Sequence, residues 1–180
     1  MVKTLFSKIL RIRFFLYICD VVKMIQMEEV SIKLNFKRLM TSELSRNDSI
    51  LREAAISAAN RAYAPYSHFN VGAAVLLNDG TVVEGNNQEN IAYPSGLCAE
   101  RVALFSAGAT FPDKPVMALA IVAIKNGVVQ PSIAPCGGCR QVMIETEQRY
   151  GQPMRILLCG TDETILVAST QDLLPLFFSF

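Results

Sequence analysis

The amino-acid sequence predicts an α/β fold in which helices cover both faces of a single sheet. Segments of helical composition alternate with strand-like segments along the chain, an order that is typical of α/β domains. Residues 117–125 (MALAIVAIK) are apolar almost throughout, as expected for a strand buried on both faces. Asn78-Asp79-Gly80 is a hairpin signal between two strand-like runs.

The first half of the domain supplies one helix and the hairpin. Asp48 and Ser49 open an alanine-rich helical pattern that ends near Pro65, because proline cannot continue a helix. After a short loop, residues 71–77 form a buried strand and residues 81–85 form its hairpin partner.

The second half supplies two further helices and three further strands. Residues 98–107 and 136–150 have helix composition. Residues 117–125, 155–159 and 164–168 are strand-like. Repeated strand-to-helix order therefore predicts the same fold class along the whole domain.

The composition is that of a globular domain, with 51% hydrophobic and 18% charged residues. The net charge of +1 gives no argument for nucleic-acid binding. The charge is uneven, because residues 1–40 carry eight Lys or Arg against three Asp or Glu, whereas the remainder carries nine against thirteen. We therefore divide the chain into a basic, apolar extension (residues 1–40) and a domain (residues 41–180).

The extension has two interpretations. Its apolar run, residues 14–19, is far shorter than the ~20 residues of a membrane-spanning helix, and no Ala-x-Ala cleavage site follows it. Residues 1–27 are basic and amphipathic enough for a helix that contacts a membrane surface. We favour a poorly ordered extension or an upstream start codon, with a later methionine as the initiator.

Three of the five cysteines are the strongest functional signal of the sequence. Cys136 and Cys139 are three residues apart at the start of a helix, so both thiols can face one point, and Cys98 starts another helix. Helix N-termini stabilise thiolates, and three thiolates suit Zn²⁺. An odd number of cysteines at this spacing is a poor disulfide framework. We predict a catalytic zinc site with an open fourth position, in a reducing, cytoplasmic setting.

Charged neighbours supply the rest of the predicted chemistry. Glu100 follows Cys98 by two residues, where a carboxylate can take a proton from water and deliver it elsewhere. Three thiolates leave a zinc site with a net negative charge, so we expect Arg101 or Arg140 to donate to a thiolate, Arg101 more firmly. Three further candidate ligands are set aside because each is isolated in the sequence: Cys19, Cys159 and His68.

These motifs resemble those of the zinc-dependent deaminases of nucleobases. Cys98-Ala99-Glu100 followed by Pro135-Cys136-Gly137-Gly138-Cys139 matches their signature with cysteine as the first ligand. Four further stretches resemble the small, homotetrameric cytidine deaminases of nucleoside salvage: 62–74 (AYAPYSHFNVGAA), 85–90 (GNNQEN), 139–142 (CRQV) and 173–175 (LLP). The resemblance covers roughly residues 48–178.

The resemblance implies a fold and a reaction. The fold is a three-layer α-β-α sandwich with a mixed five-stranded sheet, holding one Zn²⁺ per subunit through Cys98, Cys136 and Cys139. The reaction is hydrolytic deamination of cytidine and 2′-deoxycytidine to uridine and 2′-deoxyuridine, with release of ammonia, in pyrimidine salvage. Glu100 would transfer the protons.

The resemblance also assigns substrate contacts. Asn87 and Glu89 would hold the ribose 3′-hydroxyl, since alternate residues of an extended segment share a face. Phe69 would pack against the pyrimidine. The backbone around Ala99 and the carboxyl of Glu100 would read the edge of the base.

In this family the sites lie at subunit interfaces of the homotetramer. Tyr93 matches an interface tyrosine. Phe178 fits an aromatic residue that reaches the neighbouring site, and Phe177 and Phe180 are its close rivals. Ile91 departs from the family pattern, which has a small residue at that position near a neighbouring site.

Three other functions remain open on the sequence. One is deamination of a cytosine-bearing antibiotic nucleoside, against which the Asn87–Glu89 pair and Phe69 argue. Polynucleotide deamination is disfavoured because the domain is net acidic, whereas single-strand binding needs a basic groove. A structural or regulatory zinc protein without turnover would need a fourth protein ligand.

Overall fold

The computed structural model describes residues 29–179, and seven strands of that part of the chain form one mixed sheet. In chain order the strands are β1 (Phe36–Met40), β2 (Phe69–Leu77), β3 (Val82–Asn86), β4 (Val116–Lys125), β5 (Val128–Val129), β6 (Arg155–Cys159) and β7 (Glu163–Val167). The sheet order is β1-β7-β6-β4-β2-β3, with the short β5 paired to the end of β4. Strands β4 and β6 pair in parallel, and the other pairs are antiparallel.

Helices connect and cover the strands. The α-helices of the described residues are α1 (Arg46–Ala59), α2 (Ala99–Thr110) and α3 (Gly137–Tyr150), and short 3-10 turns lie at Thr41–Glu43, Tyr93–Ser95 and Thr170–Asp172. Helix α3 lies between β4 and β6 in the chain, because parallel neighbours need a crossover connection.

The sheet is buried on both faces. On one face α1 packs through Leu51, Ala55 and Ala59, and on the other face α2 and α3 complete a larger core. Strand β4 divides its side chains between the two: Leu119 belongs to the core under α2 and α3, and Val122 to the core under α1. The predicted α-β-α sandwich, and the doubly buried strand at its centre, are confirmed.

The start of α1 is built by a local cap and a distant ion pair. The backbone N–H of Asp48 donates to Ser45 Oγ at 3.2 Å, and this hydroxyl donates in turn to Asp48 Oδ2 at 2.8 Å. The buried Asp48 carboxylate also pairs with Arg155 of β6, at 2.7 Å from Nη2 to Oδ1. The helix therefore begins directly after Ser45, slightly earlier than the predicted start.

The end of α1 also lies earlier than predicted. The helix ends at Ala59, whereas the sequence pattern placed its end near Pro65. Residues between these positions pair with a distant segment instead: Tyr63 N donates to Asn87 O at 3.1 Å, and Glu89 N donates to Tyr63 O at 2.9 Å. This pairing is non-local, so a helical pattern alone did not reveal it.

The predicted number of five strands is wrong for the described residues. The two strands beyond the prediction are β1 and β5. Strand β1 comes from residues that the sequence analysis placed in the N-terminal extension, and it pairs with β7 from Phe36 opposite Val167 to Met40 opposite Glu163. Its sequence, FKRLM, is basic and mostly exposed, as is common for edge strands, and it carries no buried run that would signal a strand.

Most of the predicted extension lies outside the described residues. The membrane contact of residues 1–27, the alternative start codons before residue 28 and Cys19 all fall there, as does Phe180 at the other end, and they stay predictions. Within residues 29–179, no helix has the length and apolarity that crossing a bilayer requires.

Candidate functional site

Two helix starts bring the predicted metal ligands together. Cys98 is the N-cap residue of α2, Cys136 is that of α3, and Cys139 lies in the first turn of α3. Helix α2 can lie directly on β3 because Gly85 has no side chain: a Cβ there would lie 2.4 Å from Ala103 N. Neither cap side chain accepts a hydrogen bond from a backbone N–H of its own helix, so the partial positive charge of both N-termini is left to stabilise thiolates.

The sulfur atoms lie at distances that suit one metal ion. All three Sγ atoms lie within 4.8 Å of one another, with 3.9 Å between Cys98 and Cys136 and 3.4 Å between Cys136 and Cys139. Tetrahedral zinc with Zn–S bonds of about 2.3 Å places its sulfurs about 3.8 Å apart. Within the part of the chain that the structure describes, no fourth His, Cys, Asp or Glu joins this group. The donor set fits zinc with one coordination position left over.

The thiols differ in their readiness to ionise. A hydrogen bond with Cys139 and the guanidinium of Arg101 lower the pKa of the Cys98 thiol to about 5. The same contact with Cys98, together with burial, raises the pKa of Cys139 above that of a free thiol. Metal binding at this cluster therefore releases protons, since each ligating sulfur must be a thiolate.

Glu100 is buried beside the thiols. It lies in the first turn of α2 and is only 4% exposed. Burial raises the pKa of its carboxyl, and the negative charge of Cys98 acts in the same direction. A buried carboxyl with a raised pKa binds a proton more readily than an exposed one does, which suits a group that takes up and gives back protons in a general acid and base role.

The two arginines that flank the ligands have different partners. Arg101 Nη2 donates to Cys98 Sγ at 3.8 Å, as expected for the residue that offsets the thiolate charge. Arg140 instead donates to two backbone carbonyls, from Nε to Pro135 O at 2.9 Å and from Nη1 to Leu173 O at 2.8 Å. Arg140 therefore ties the loop before Cys136 to the C-terminal segment.

The glycines between Cys136 and Cys139 are not explained by close packing in the described residues. A Cβ on Gly137 or Gly138 would meet nothing within 4 Å, and neither glycine has a positive φ. The space beside both glycines is open within the described residues.

A cavity of about 520 Å³ opens beside Cys98, which is a suitable volume for a small ligand. Its lining residues are Tyr66, Ser67, Asn87, Gln88, Glu89, Asn90, Tyr93, Gly96, Leu97, Cys98 and Arg101. Five predicted site residues are among them: Asn87, Glu89, Tyr93, Cys98 and Arg101. The sequence analysis gave no site role to Tyr66, Ser67, Gln88, Asn90, Gly96 or Leu97. Tyr66, Ser67, Gln88 and Asn90 lie inside the motifs 62–74 and 85–90, and this position was the available signal.

Asn87 is anchored to the strand that begins at Phe69. Val71 N donates to Asn87 Oδ1 at 2.7 Å, and Asn87 Nδ2 donates to Phe69 O at 3.0 Å. Each half of the amide thus has one hydrogen-bonding position in use. One amide hydrogen and one lone pair of the oxygen remain for a ligand.

Glu89 is held by the turn that precedes β2. Tyr66 N and Ser67 N donate to Glu89 Oε2 at 2.9 Å and 3.2 Å. Hydrogen bonding, from the Ser67 side chain above all, lowers the pKa of the Glu89 carboxyl. A charged carboxylate therefore faces the cavity.

The remaining predicted site residues do not line the cavity. Phe69 is half-buried at the start of β2, and Ala99 is fully buried at the start of α2. Phe178 is 69% exposed and lies on α3, where Gln141 donates to its carbonyl at 2.9 Å and accepts from its N–H at 3.2 Å. Cys159 is buried in β6, its sulfur 3.7 Å from Leu157 O, and takes no part in the thiol group.

Exposed apolar and aromatic side chains lie on or next to the segments that line the cavity. The rings of Tyr66 and Tyr93 meet edge to face, 6.5 Å apart, and Tyr93 is 78% exposed. Ile91 is 80% exposed, and Tyr63 and Leu97 are also exposed. Such a patch beside a cavity is typical of a surface that another molecule covers.

Thiol ligands at two helix starts, with a buried glutamate two residues after the first thiol, define a zinc-dependent deaminase class of site. The chain belongs to the cytidine and deoxycytidylate deaminase family. The family model of the cytidine and deoxycytidylate deaminase zinc-binding region matches residues 45–150, which is more than half of the chain.

Individual relatives agree with this family. The chain is 47% identical, over 122 residues, to a cytidine deaminase of Halalkalibacterium halodurans, covering 68% of this chain and 80% of the relative. The structure of this chain resembles that of a cytidine deaminase from Burkholderia pseudomallei, with a TM-score of 0.63 and 42% identity. The match covers 75% of this chain and all of the other. A cytidine deaminase structure from Mycobacterium tuberculosis is similar at a TM-score of 0.60 and 37% identity, over 76% of this chain and all of the other.

Proposed function

We propose that the protein is a zinc-dependent hydrolase that deaminates cytidine and 2′-deoxycytidine to uridine and 2′-deoxyuridine, releasing ammonia, in cytoplasmic pyrimidine salvage. One observation carries the proposal: three thiols within 4.8 Å of one another lie at two helix starts, beside buried Glu100 and a cavity that reaches Cys98. The cytidine deaminases among its relatives support the choice of base.

Cys98, Cys136 and Cys139 would hold one Zn²⁺ per subunit. When bound, the ion supplies the Lewis acidity that makes water a nucleophile at neutral pH. Glu100 takes a proton from the attacking water, whose oxygen forms a bond to C4 of the cytosine ring. Glu100 delivers this proton to N3, then takes the remaining proton from the new hydroxyl on C4 and delivers it to the amino nitrogen. The C4–N bond breaks as ammonia leaves and the oxygen on C4 becomes a carbonyl.

Arg101 offsets the charge of the thiolates. Its hydrogen bond to Cys98 draws electron density from that sulfur, which makes the cluster less negative. A less negative cluster favours the loss of a proton from water, so the guanidinium acts on the same step as Glu100.

The cavity side of the site binds the nucleoside. Asn87 and Glu89 line it with the hydrogen-bonding positions that their anchoring leaves available, and these suit the ribose 3′-hydroxyl. Phe69 packs against the pyrimidine and the Ala99 backbone reads the base edge. Because Cys98 also lines the cavity, a nucleoside bound there lies beside the thiol cluster.

The active form is a homotetramer in which neighbouring subunits cover one another's sites. The exposed patch around Tyr93 and Ile91 supports this proposal, since it borders the cavity and is otherwise open to solvent. Phe178 is the aromatic residue that reaches the neighbouring site, and Gln141 fixes its backbone.

The test is a deamination assay of the purified full-length protein, with cytidine, 2′-deoxycytidine and blasticidin compared side by side and zinc measured by elemental analysis. Replacement of Glu100 by Gln is expected to lower kcat about 10²- to 10⁴-fold while zinc stays bound, because it removes proton transfer without removing a ligand. Wild-type turnover in this variant would sink the assignment of Glu100.

Two outcomes would redirect the proposal. Preference for blasticidin over both nucleosides would assign the protein to antibiotic deamination. X-ray absorption that finds four sulfurs around zinc would favour a structural or regulatory zinc protein, because no position would remain for water.

A further inference from the structure

A second cavity lies beside β1, and it shares no lining residue with the cavity beside Cys98. Its volume of about 430 Å³ is large enough for a small organic ligand. Strand β1 contributes Phe36, Lys37 and Arg38 to the wall of this second cavity. The family model matches only residues 45–150, so β1 lies outside the region that carries the family resemblance.

Six of the ten residues that line the second cavity are apolar. Among them, Leu158 and Leu173 are only 4% and 7% exposed, whereas Leu34 and Phe36 are 42% and 49% exposed. Half-exposed apolar side chains around a concavity gain hydrophobic free energy when an apolar body covers them. A ligand that matches this wall therefore carries an apolar ring or chain.

The charged residues of the wall are mostly cationic. Lys37, Arg38 and Arg140 line the cavity together with one acid, Asp172. The Asp172 carboxylate already has a partner, because its Oδ1 accepts from Asn35 N at 3.2 Å. An excess of cations over acids on the wall favours a ligand with a negative charge.

These cations have donors without a partner in residues 29–179. Lys37 makes no ion pair or hydrogen bond there. Arg140 donates from Nε and Nη1 to two backbone carbonyls, and its Nη2 makes no hydrogen bond. Arg38 contacts Glu163 Oε2 through Nε alone, at 3.3 Å. An ammonium and two guanidinium groups with unused N–H donors suit a carboxylate, sulfonate or phosphate group.

We propose that this cavity is a second ligand site of the protein, which binds a small organic anion with an apolar body. An inorganic anion would leave the apolar wall uncovered, and a neutral apolar molecule would leave the cations without a partner. The site does not depend on the proposed deamination.

Arg140 connects this second site to the thiol cluster. Its Nε donates to the carbonyl of Pro135, directly before Cys136, and its Nη2 remains available to a bound anion. An anion held by Arg140 restrains the same guanidinium that supports this loop. Occupancy of the second site therefore slows the loss of zinc, and this consequence rests on the proposed zinc site.

The test is isothermal titration calorimetry of the full-length protein with 1-naphthoate, an aromatic carboxylate. The comparison probes are 1-naphthamide, a neutral molecule of the same shape, and acetate, an anion without the apolar body. We expect 1-naphthoate to bind once per chain and at least about 5-fold more tightly than 1-naphthamide. Acetate should show no measurable binding.

The variant Lys37→Met removes one charge and keeps a stem of similar length. It should weaken the binding of 1-naphthoate about 3- to 10-fold and change that of 1-naphthamide less than about 2-fold. The matched control is Arg46→Met, which removes an exposed cation of α1 outside the lining set and should bind both probes like the wild type. In the wild type, saturating 1-naphthoate should slow zinc loss to a chelator about 2-fold or more.

Equal affinities for 1-naphthoate and 1-naphthamide, or wild-type affinity for 1-naphthoate in Lys37→Met, would overturn the second site. Displacement of 1-naphthoate by uridine would also overturn it, because the probe would then lie in the cavity beside Cys98. If Lys37→Met does not fold, the wild type decides: raising NaCl from about 0.05 to about 0.5 M should weaken 1-naphthoate and not 1-naphthamide, and an equal response contradicts the site.

The link to the metal has its own outcome. An unchanged rate of zinc loss at saturating 1-naphthoate would refute the connection through Arg140. A protein that binds 1-naphthoate as expected but neither holds zinc nor deaminates cytidine would refute the proposed function and leave the second site standing.

Discussion

The thiol cluster and the cavity that we propose for the nucleoside meet at Cys98, yet they are assembled by different kinds of contact. The thiols come from two helix starts, and Cys136 and Cys139 are neighbours because of helical spacing alone. The cavity residues Asn87 and Glu89 are instead placed by hydrogen bonds to backbone atoms about twenty residues earlier in the chain. Local periodicity thus builds the metal side, and side-chain contacts to distant backbone build the substrate side.

We expect the loss of one thiol to abolish zinc binding at the cluster. Cys139→Ser is expected to lose bound zinc and all measurable turnover, because Cys139 is fully buried and its thiolate has no substitute among the described residues. Cys159→Ser is the control, since this equally buried cysteine lies outside the cluster. Elemental analysis and an ammonia-release assay measure both effects; zinc retained at the wild-type level in Cys139→Ser contradicts the assigned ligand set.

Two glycines beside the helices that carry the thiols should differ in how much they matter for packing. Gly85→Ala is expected to lower the free energy of unfolding by about 1–3 kcal/mol or more, because its Cβ would clash with the backbone of α2 at Ala103. Gly137→Ala is expected to leave it within about 1 kcal/mol, since its Cβ meets open space and alanine favours the helix. Denaturant unfolding of the two variants measures this; a larger loss in Gly137→Ala would show a packing demand from a neighbouring subunit.

Arg140 combines helical spacing with contacts to distant backbone. It follows Cys139 in α3, and its hydrogen bonds to Pro135 O and Leu173 O hold the loop before Cys136. Arg140→Met should increase the rate of zinc loss to a chelator and lower kcat about 10-fold, since Pro135 O and Leu173 O lose their shared donor. Arg149→Met is matched in charge and helix. The Arg149 guanidinium donates to Pro112 O at 3.1 Å and lies over the Tyr150 ring, at the end of α3 away from the thiols. Equal zinc loss from both variants would mean that helix α3 is simply destabilised.

The same contrast explains what sequence reasoning could reach. The spacing of Cys136 and Cys139 is a local pattern, and the buried run of β4 is equally local, so the thiol cluster and the layer order were predictable. Strand β1 and the early end of α1 depend on pairing with residues far along the chain, and no local pattern encodes that. Ser67 and the different partners of Arg101 and Arg140 depend on side-chain direction, which spacing does not give.

The smallest expected effect concerns the charge of Glu89. Its pKa is lowered by hydrogen bonds, from the Ser67 side chain first, so the carboxylate keeps its charge at a pH where an ordinary glutamate begins to protonate. The contribution of a group with a depressed pKa is present above that pKa and is lost only as the pH falls through it. The ratio of KM for 3′-deoxycytidine to KM for cytidine should therefore change less than about 2-fold between about pH 8 and about pH 5.

Removal of the Ser67 hydroxyl removes the main cause of the lowered pKa, so in Ser67→Ala the ratio should begin to fall at a higher pH than in the wild type. Steady-state kinetics at several pH values on the two proteins measure this, and Ser106→Ala should follow the wild type because it faces solvent on α2. Identical pH profiles in Ser67→Ala and the wild type would mean that the substrate side is held by backbone contacts to Glu89 alone. Glu89 and Asn87 would then both be placed by hydrogen bonds between their side chains and backbone atoms, which the substitution of Ser67 leaves intact.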